Sequence, residues 1–174
     1  MRSNILIAIG LVFLGIFAHE SWIRYAPVRE SVVYSQEMQT AVGPAYPTYF
    51  VIDTLKLALP IENGYHTQDT WTTNQKGVSF YTDSTYPGEV GNSIFYGHNY
   101  QRVLGNLHTI VPGDTIKISF SDGSFKKFEV TATQVVDPDA LYILNGSDER
   151  MLTVYTCVGL LDQKRFVVAA KYYE

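Results

Sequence analysis

The stretch TIKISFSDGSFKKFEVTA, residues 115–132, carries the pattern that decides the fold class. Ile116, Ile118 and Phe120 alternate with Thr115, Lys117 and Ser119, which makes one face of an extended strand apolar and the other polar. Asp122-Gly123 supplies the turn, since glycine tolerates the positive φ that tight hairpin connections need. Phe125, Phe128 and Val130 mark the return strand, and their spacing slips at Lys126-Lys127, which predicts a bulge there.

Working outward, the same reading applies to most of the chain. MLTVYT (151–156) and RFVVAAKYY (165–173) read as strands, the second apolar on nearly every position. SIFYG (93–97) is a short apolar run that follows the turn-rich YPGEVGN, and TYFVI and LKLALPI lie around Asp53-Thr54. Helical signals inside this region are short: RVLGNLHTI around Leu104 to Leu107, and the Asp137-Pro138 segment, where Pro suits a first turn. Many short strands with few helices predict a mainly β domain, a sandwich or a closed barrel.

Composition bounds the rest. The 174 residues make about one domain, large enough to bury a core without cross-links. A net charge of −4 argues against a nucleic-acid partner, which would call for clustered Lys and Arg. Thirteen Tyr and nine Phe beside 17% charged residues fit a compact β-rich chain rather than a disordered one.

Near the N-terminus, Arg2 precedes the uncharged run ILIAIGLVFLGIFA, Ile5 to Ala18. Fourteen helical residues reach only about 21 Å against a ~30 Å hydrocarbon core, yet Trp22, Arg24 and Tyr25 resemble interfacial anchors that would lengthen the span. The run also fits the apolar region of a secretory signal, although Ile16 suits a cleavage site poorly. The expectation is an uncleaved signal anchor or transmembrane segment over 1–25, a stalk over 26–47 with a short helix at Val28 to Met38, and one domain over 48–174. Everything after the anchor would then lie outside the cytoplasmic membrane.

In that compartment the single cysteine, Cys157, has no partner for an internal disulfide and becomes a candidate nucleophile. A buried structural thiol and a stray surface thiol remain alternatives. Of four histidines, His19 falls at the membrane edge, His66 in a polar loop, and His108 on a short helix. His98 leaves the end of SIFYG, where a rigid strand gives way to a loop, a place that favours functional side chains. A hydrogen-bonded structural histidine is the competing reading. Arg165 opens the strand FVVAAKYY, eight positions after Cys157, and if the two strands pair antiparallel both residues reach one end of the fold. Its alternative role is a charge that protects a strand edge.

Together these residues give a recognisable pattern: the chain resembles the sortase family of cell-surface cysteine transpeptidases. Thr153-Val154-Tyr155-Thr156-Cys157 is similar to the family's Thr-Leu-x-Thr-Cys strand, Gly97-His98-Asn99 to its Gly-His motif, and Arg165 to its arginine. Leu57 to Ile61 and Val111-Pro112-Gly113-Asp114 extend the likeness, which covers roughly residues 48–172. Val154 stands where Leu is usual, and the segment from Cys157 to Arg165 is short, in a loop that shapes the family's substrate groove.

The resemblance implies a closed mixed β-barrel of about eight strands with short helices. It implies a Cys157 nucleophile, an Arg165 donor to the oxyanion and a His98 acid and base, with Thr156, Tyr155 and Asn99 around the substrate. Thr156 would support the groove or position Arg165. The implied substrates are secreted proteins with a Leu-Pro-x-Thr-Gly-like sorting signal, and the implied acceptor is an amine of a wall precursor or a pilin. No cofactor is called for, and Asp83, Glu89, Asp148 and Glu149 match no compact calcium loop. No aromatic lid segment is visible; Asp69-Thr70-Trp71 comes nearest and reads as core or surface loop. The rival readings are a peptidoglycan L,D-transpeptidase-like acyltransferase, whose Gly-Cys signature is absent here, and a non-enzymatic anchored surface-binding barrel.

Overall fold

A computed structural model describes residues 2–25, 44–67 and 70–174. The predicted stalk helix at Val28 to Met38, and Asp69, lie outside the described residues. Helix α1 (Arg2–Tyr25) precedes ten strands: β1 (Pro47–Ile52), β2 (Leu57–Gly64), β3 (His66–Thr67), β4 (Thr70–Trp71), β5 (Val78–Tyr81), β6 (Gly91–Gly97), β7 (Thr115–Phe120), β8 (Phe125–Val136), β9 (Arg150–Val158) and β10 (Lys164–Tyr172). Eight of them close a barrel in the order β1-β2-β5-β6-β9-β10-β8-β7, and β3 and β4 form a separate two-stranded ribbon. The pairs β2·β5 and β6·β9 are parallel and the other six antiparallel, so the barrel is mixed.

Alternation explains the closure. Strand β7 buries Ile116, Ile118 and Phe120, β8 buries Phe128 and Val130, and β1 contributes Phe50 and Ile52 to the same interior. At the hairpin tip Gly123 holds φ +84, and the Asp122 carboxylate accepts the Ser124 N–H at 2.9 Å. The predicted bulge at Lys126-Lys127 is absent: Ile118↔Lys126, Lys117↔Lys127 and Ile116↔Phe128 run in uninterrupted register. The spacing slips for another reason. Lys126 occupies an inward position at the barrel rim, lies over the Phe120 and Tyr86 rings, and donates to the Pro87 carbonyl at 2.8 Å. A long amphipathic stem thus substitutes for an apolar residue, and Phe125 turns outward. The register shift occurs farther along, between Ala169↔Ala132 and Ala170↔Val130, where Thr131 is the extra residue.

The short helices fall slightly beyond their predicted places, as single 3-10 turns at Leu107–Thr109 and Leu141–Leu144. The second begins three residues after Pro138, in the long connection from β8 to β9. Because Phe128 is fully buried and meets Tyr172 edge-on at 5.7 Å, Phe128→Ala should destabilise the barrel by about 3–5 kcal/mol, read from chemical denaturation.

A helix does form over Arg2–Tyr25, but among the described residues no helix is long and apolar enough to cross a membrane. The apolar run ends at Ala18, about 21 Å along the axis, and His19-Glu20-Ser21 follow it. The end of α1 meets the barrel: the Gln101 N–H donates to the Arg24 carbonyl at 2.8 Å.

Candidate active site

Register alone brings the three principal sequence candidates to one end of the barrel. Strands β9 and β10 pair with Arg165 directly opposite Cys157. On the other side of β9, the parallel strand β6 ends with Gly97 opposite Thr156, so His98 emerges at the level of Cys157. The three side chains line a cavity of about 240 Å³, walled by the Leu141–Leu144 turn and by Trp71, Tyr96 and Tyr155.

The exit of β6 is shaped by close packing. A Cβ on Gly97 would sit 3.1 Å from Leu104 and 3.3 Å from Val103, both fully buried, so a larger residue would have to push these packed side chains by a few tenths of an ångström. The Gly97 carbonyl accepts the buried Thr156 hydroxyl at 2.8 Å, and the His98 carbonyl accepts the Leu104 N–H at 3.1 Å. Thr156 therefore ties β6 to β9 and does not bond Arg165. The His98 ring stacks on Tyr100, with centroids 4.6 Å apart and planes 8° from parallel. With the Gln75 amide in its present orientation, its N–H donates to His98 Nε2 at 3.0 Å, which leaves the ring proton on Nδ1.

Burial favours the uncharged forms of both the thiol and the imidazole. Burial pushes the Cys157 thiol above its ordinary range, against a smaller downward pull from Arg165. Burial also lowers the His98 imidazole, with Asp162 acting in the opposite sense. Tyr155, whose own ionisation burial strongly opposes, stacks on Tyr96 at 5.5 Å and stays neutral beside the thiol.

Arg165 donates through Nη1 to the carbonyls of Asp162 at 2.9 Å and Lys164 at 3.0 Å. Both bonds use one nitrogen, and the side chain lines the cavity. Lys164 itself pairs with Asp137 at the groove edge. Asn99, expected beside the substrate, is not among the residues lining the cavity and donates to the Asp162 carboxylate at 2.7 Å.

Sequence reading also missed parts of the wall. Trp71, read as core or surface loop, lines the cavity, meets Tyr96 and Tyr81 edge-on at 5.1 and 5.0 Å, and lies tilted against the His66 ring at 4.6 Å. Tyr96 fixes this corner by donating to the Thr72 carbonyl at 2.7 Å, in space left by Gly64, whose Cβ would overlap the phenol oxygen. The one available signal was the density of aromatics near YHTQDTW, which names no partner. His108 is exposed on its 3-10 turn, and no group of three or more metal-ligating side chains gathers among the described residues.

A closed mixed barrel with a half-buried thiol, an imidazole and a guanidinium at one groove has the parts for thiol-mediated acyl transfer: a nucleophile, a proton carrier and a fixed donor for an oxyanion. The sortase domain profile matches residues 50–173, and the chain belongs to the sortase family. It is 32% identical over 107 residues to sortase D of Bacillus subtilis, an alignment covering 61% of this chain, and it spans about half (51%) of that relative's length. Among solved structures it is similar to a Clostridium perfringens sortase D5 transpeptidase, with TM-score 0.63 and 26% identity over 74% of this chain and 79% of that one. A sortase A of Corynebacterium diphtheriae, a lid mutant, shares the fold with TM-score 0.64, 24% identity and coverage of 74% and 70%.

Proposed function

We propose that this protein is a cysteine transpeptidase that cleaves a Leu-Pro-x-Thr-Gly-like sorting signal and transfers the acyl part to an amine. The observation that carries the reading is the shared groove of Cys157, His98 and Arg165, each placed there by strand register. The thiol proton passes to His98, and in this thiolate–imidazolium form the Cys157 sulfur attacks the Thr-Gly carbonyl carbon, so that a C–S bond forms as the carbonyl oxygen gains charge. Arg165 stabilises that oxyanion through the N–H groups not engaged with the loop carbonyls. Protonated His98 gives its proton to the glycine nitrogen as the C–N bond breaks, which leaves a thioester on Cys157. An incoming amine, deprotonated by His98, attacks the thioester, expels the thiolate and forms the new amide. Tyr155 and Trp71 would contact the substrate; Thr156 and Asn99 act behind it, through Gly97 and Asp162.

The amine acceptor would be a wall precursor or a pilin lysine, and the substrates secreted proteins outside the cytoplasmic membrane. Exposed Leu11, Phe13, Leu14 and Phe17 on α1 support membrane association. The test is incubation with a fluorogenic panel of Leu-Pro-x-Thr-Gly variants, followed by intact-mass measurement. A cleaved peptide and an acyl adduct on Cys157 are expected. No cleavage of any member, together with a thiol no more reactive than free cysteine, would sink the reading.

A further inference from the structure

We infer that Asp162, on the loop between β9 and β10, is a positioning residue that holds the His98 loop, the Arg165 end of β10 and the last turn of α1 in one arrangement. The loop is short and strained. Gly159, Leu161 and Asp162 have φ of +86, +55 and +59, and non-glycine residues seldom adopt the left-handed region twice in a row. The side chains of the turn do not pack to hold it: Leu160 is 79% and Leu161 83% exposed. Its connections run through Asp162. One carboxylate oxygen accepts the Asn99 amide at 2.7 Å, directly after His98. The other takes Arg24 Nη2 at 2.9 Å, and the Asp162 backbone carbonyl takes Arg165 Nη1 at 2.9 Å. One residue thus bonds the loop that follows His98, the Arg165 end of β10 and, outside the barrel, the last turn of α1.

The charges near this loop have opposed effects. Arg24 from α1 and Arg165 from β10 favour the Cys157 thiolate, whereas the Asp162 carboxylate disfavours it and favours the His98 imidazolium. The other groups facing this corner are Asn99 and Tyr100 beside His98, Tyr155 on β9, and Lys164, which is paired with Asp137. The Arg24–Asp162 pair is about one-third exposed, so its influence is modest and weakens with salt.

The inference rests on the transpeptidase reading for its catalytic meaning, but its test does not. Alkylation of Cys157 by iodoacetamide is followed against pH in the full chain, beside peptide turnover. Asp162→Asn removes the charge while keeping an oxygen for Asn99, and should move the alkylation midpoint about half a pH unit toward acid. Arg24→Ala should move it the other way. Turnover in Asp162→Ala should fall at least about tenfold in kcat with KM little changed, with partial rescue in Asp162→Asn. If Asp162→Ala fails to fold, the Asn and Arg24 variants still decide. Unmoved midpoints in both, or shifts of the same sign, overturn the inference. If the wild-type protein turns over no peptide while the midpoints move as stated, the transpeptidase reading fails and the positioning role stands.

Discussion

Cys157→Ala should reduce sorting-peptide cleavage to the uncatalysed level, a loss of at least about 10⁴-fold, while the melting transition stays within a few degrees of wild type. The site explains both halves. Cys157 is half-buried on β9, its backbone belongs to the ladder with β10, and its side chain faces the groove rather than the core. Removing one sulfur costs little packing, yet it leaves no group able to form the thioester. Cys157→Ser should be equally inactive, since a hydroxyl ionises far less readily than a thiol and His98 is a weak base here. An acyl-serine adduct with appreciable turnover would show that His98 activates the nucleophile by ordinary base catalysis.

The pH dependence follows from the same shifts. With the thiol raised and the imidazole lowered, the stable pair at neutral pH is uncharged, and the reactive thiolate–imidazolium pair is a minor form. Its fraction is constant between the two ionisations. It falls below the lowered His98 value, where the imidazole charges while the thiol stays protonated, and above the raised Cys157 value, where the imidazolium is lost. Thus kcat/KM should be flat through neutral pH, with an acid limb below the ordinary histidine range and a basic limb above the ordinary cysteine range. Stopped assays across pH in constant-ionic-strength buffers read both limbs.

How much of this was legible in the sequence depended on whether the signal was periodic or three-dimensional. Ile116, Ile118 and Phe120 announced their strand because period-2 burial is written locally, and Cys157 and Arg165 could be brought together once a hairpin was assumed. His98 needed a parallel β6·β9 pairing that no local pattern announces, so it was singled out only by its place at a strand exit and by the Gly-His resemblance. Lys126 misled the register because a lysine stem fills an apolar rim position as a hydrocarbon does. Trp71 and Asp162 were invisible for a different reason. Trp71 joins the groove only because β3 and β4 fold against Tyr96, and Asp162 matters through partners from α1 and the His98 loop. An amphipathic stripe on α1 would have been readable, but its end docks through one arginine and one carbonyl, which leave no pattern.

Arg165→Ala should lower kcat by about 10²–10³-fold, the cost of removing one donor from an oxyanion site. The geometry makes this sharper than a loss of charge. Arg165 stands opposite Cys157, with Nη1 fixed on the carbonyls of Asp162 and Lys164. Those bonds hold one end of the guanidinium beside the cavity that the side chain lines, so its remaining N–H groups would need little reorganisation to meet an oxyanion. Lysine keeps the positive charge, but its three N–H donors diverge from one nitrogen and lack the planar fork that can hold the loop carbonyls at one nitrogen while donating from another. Arg165→Lys should therefore recover no more than about tenfold of the loss, and mainly at high substrate concentration. The alternative, that Arg165 acts only by favouring the Cys157 thiolate, makes a different forecast. Lysine would then restore most of the rate, and Arg165→Ala would move the basic limb toward alkaline pH without lowering the rate above it. Measuring kcat for all three proteins across the basic limb separates the two roles, and a near wild-type lysine variant would refute the oxyanion assignment.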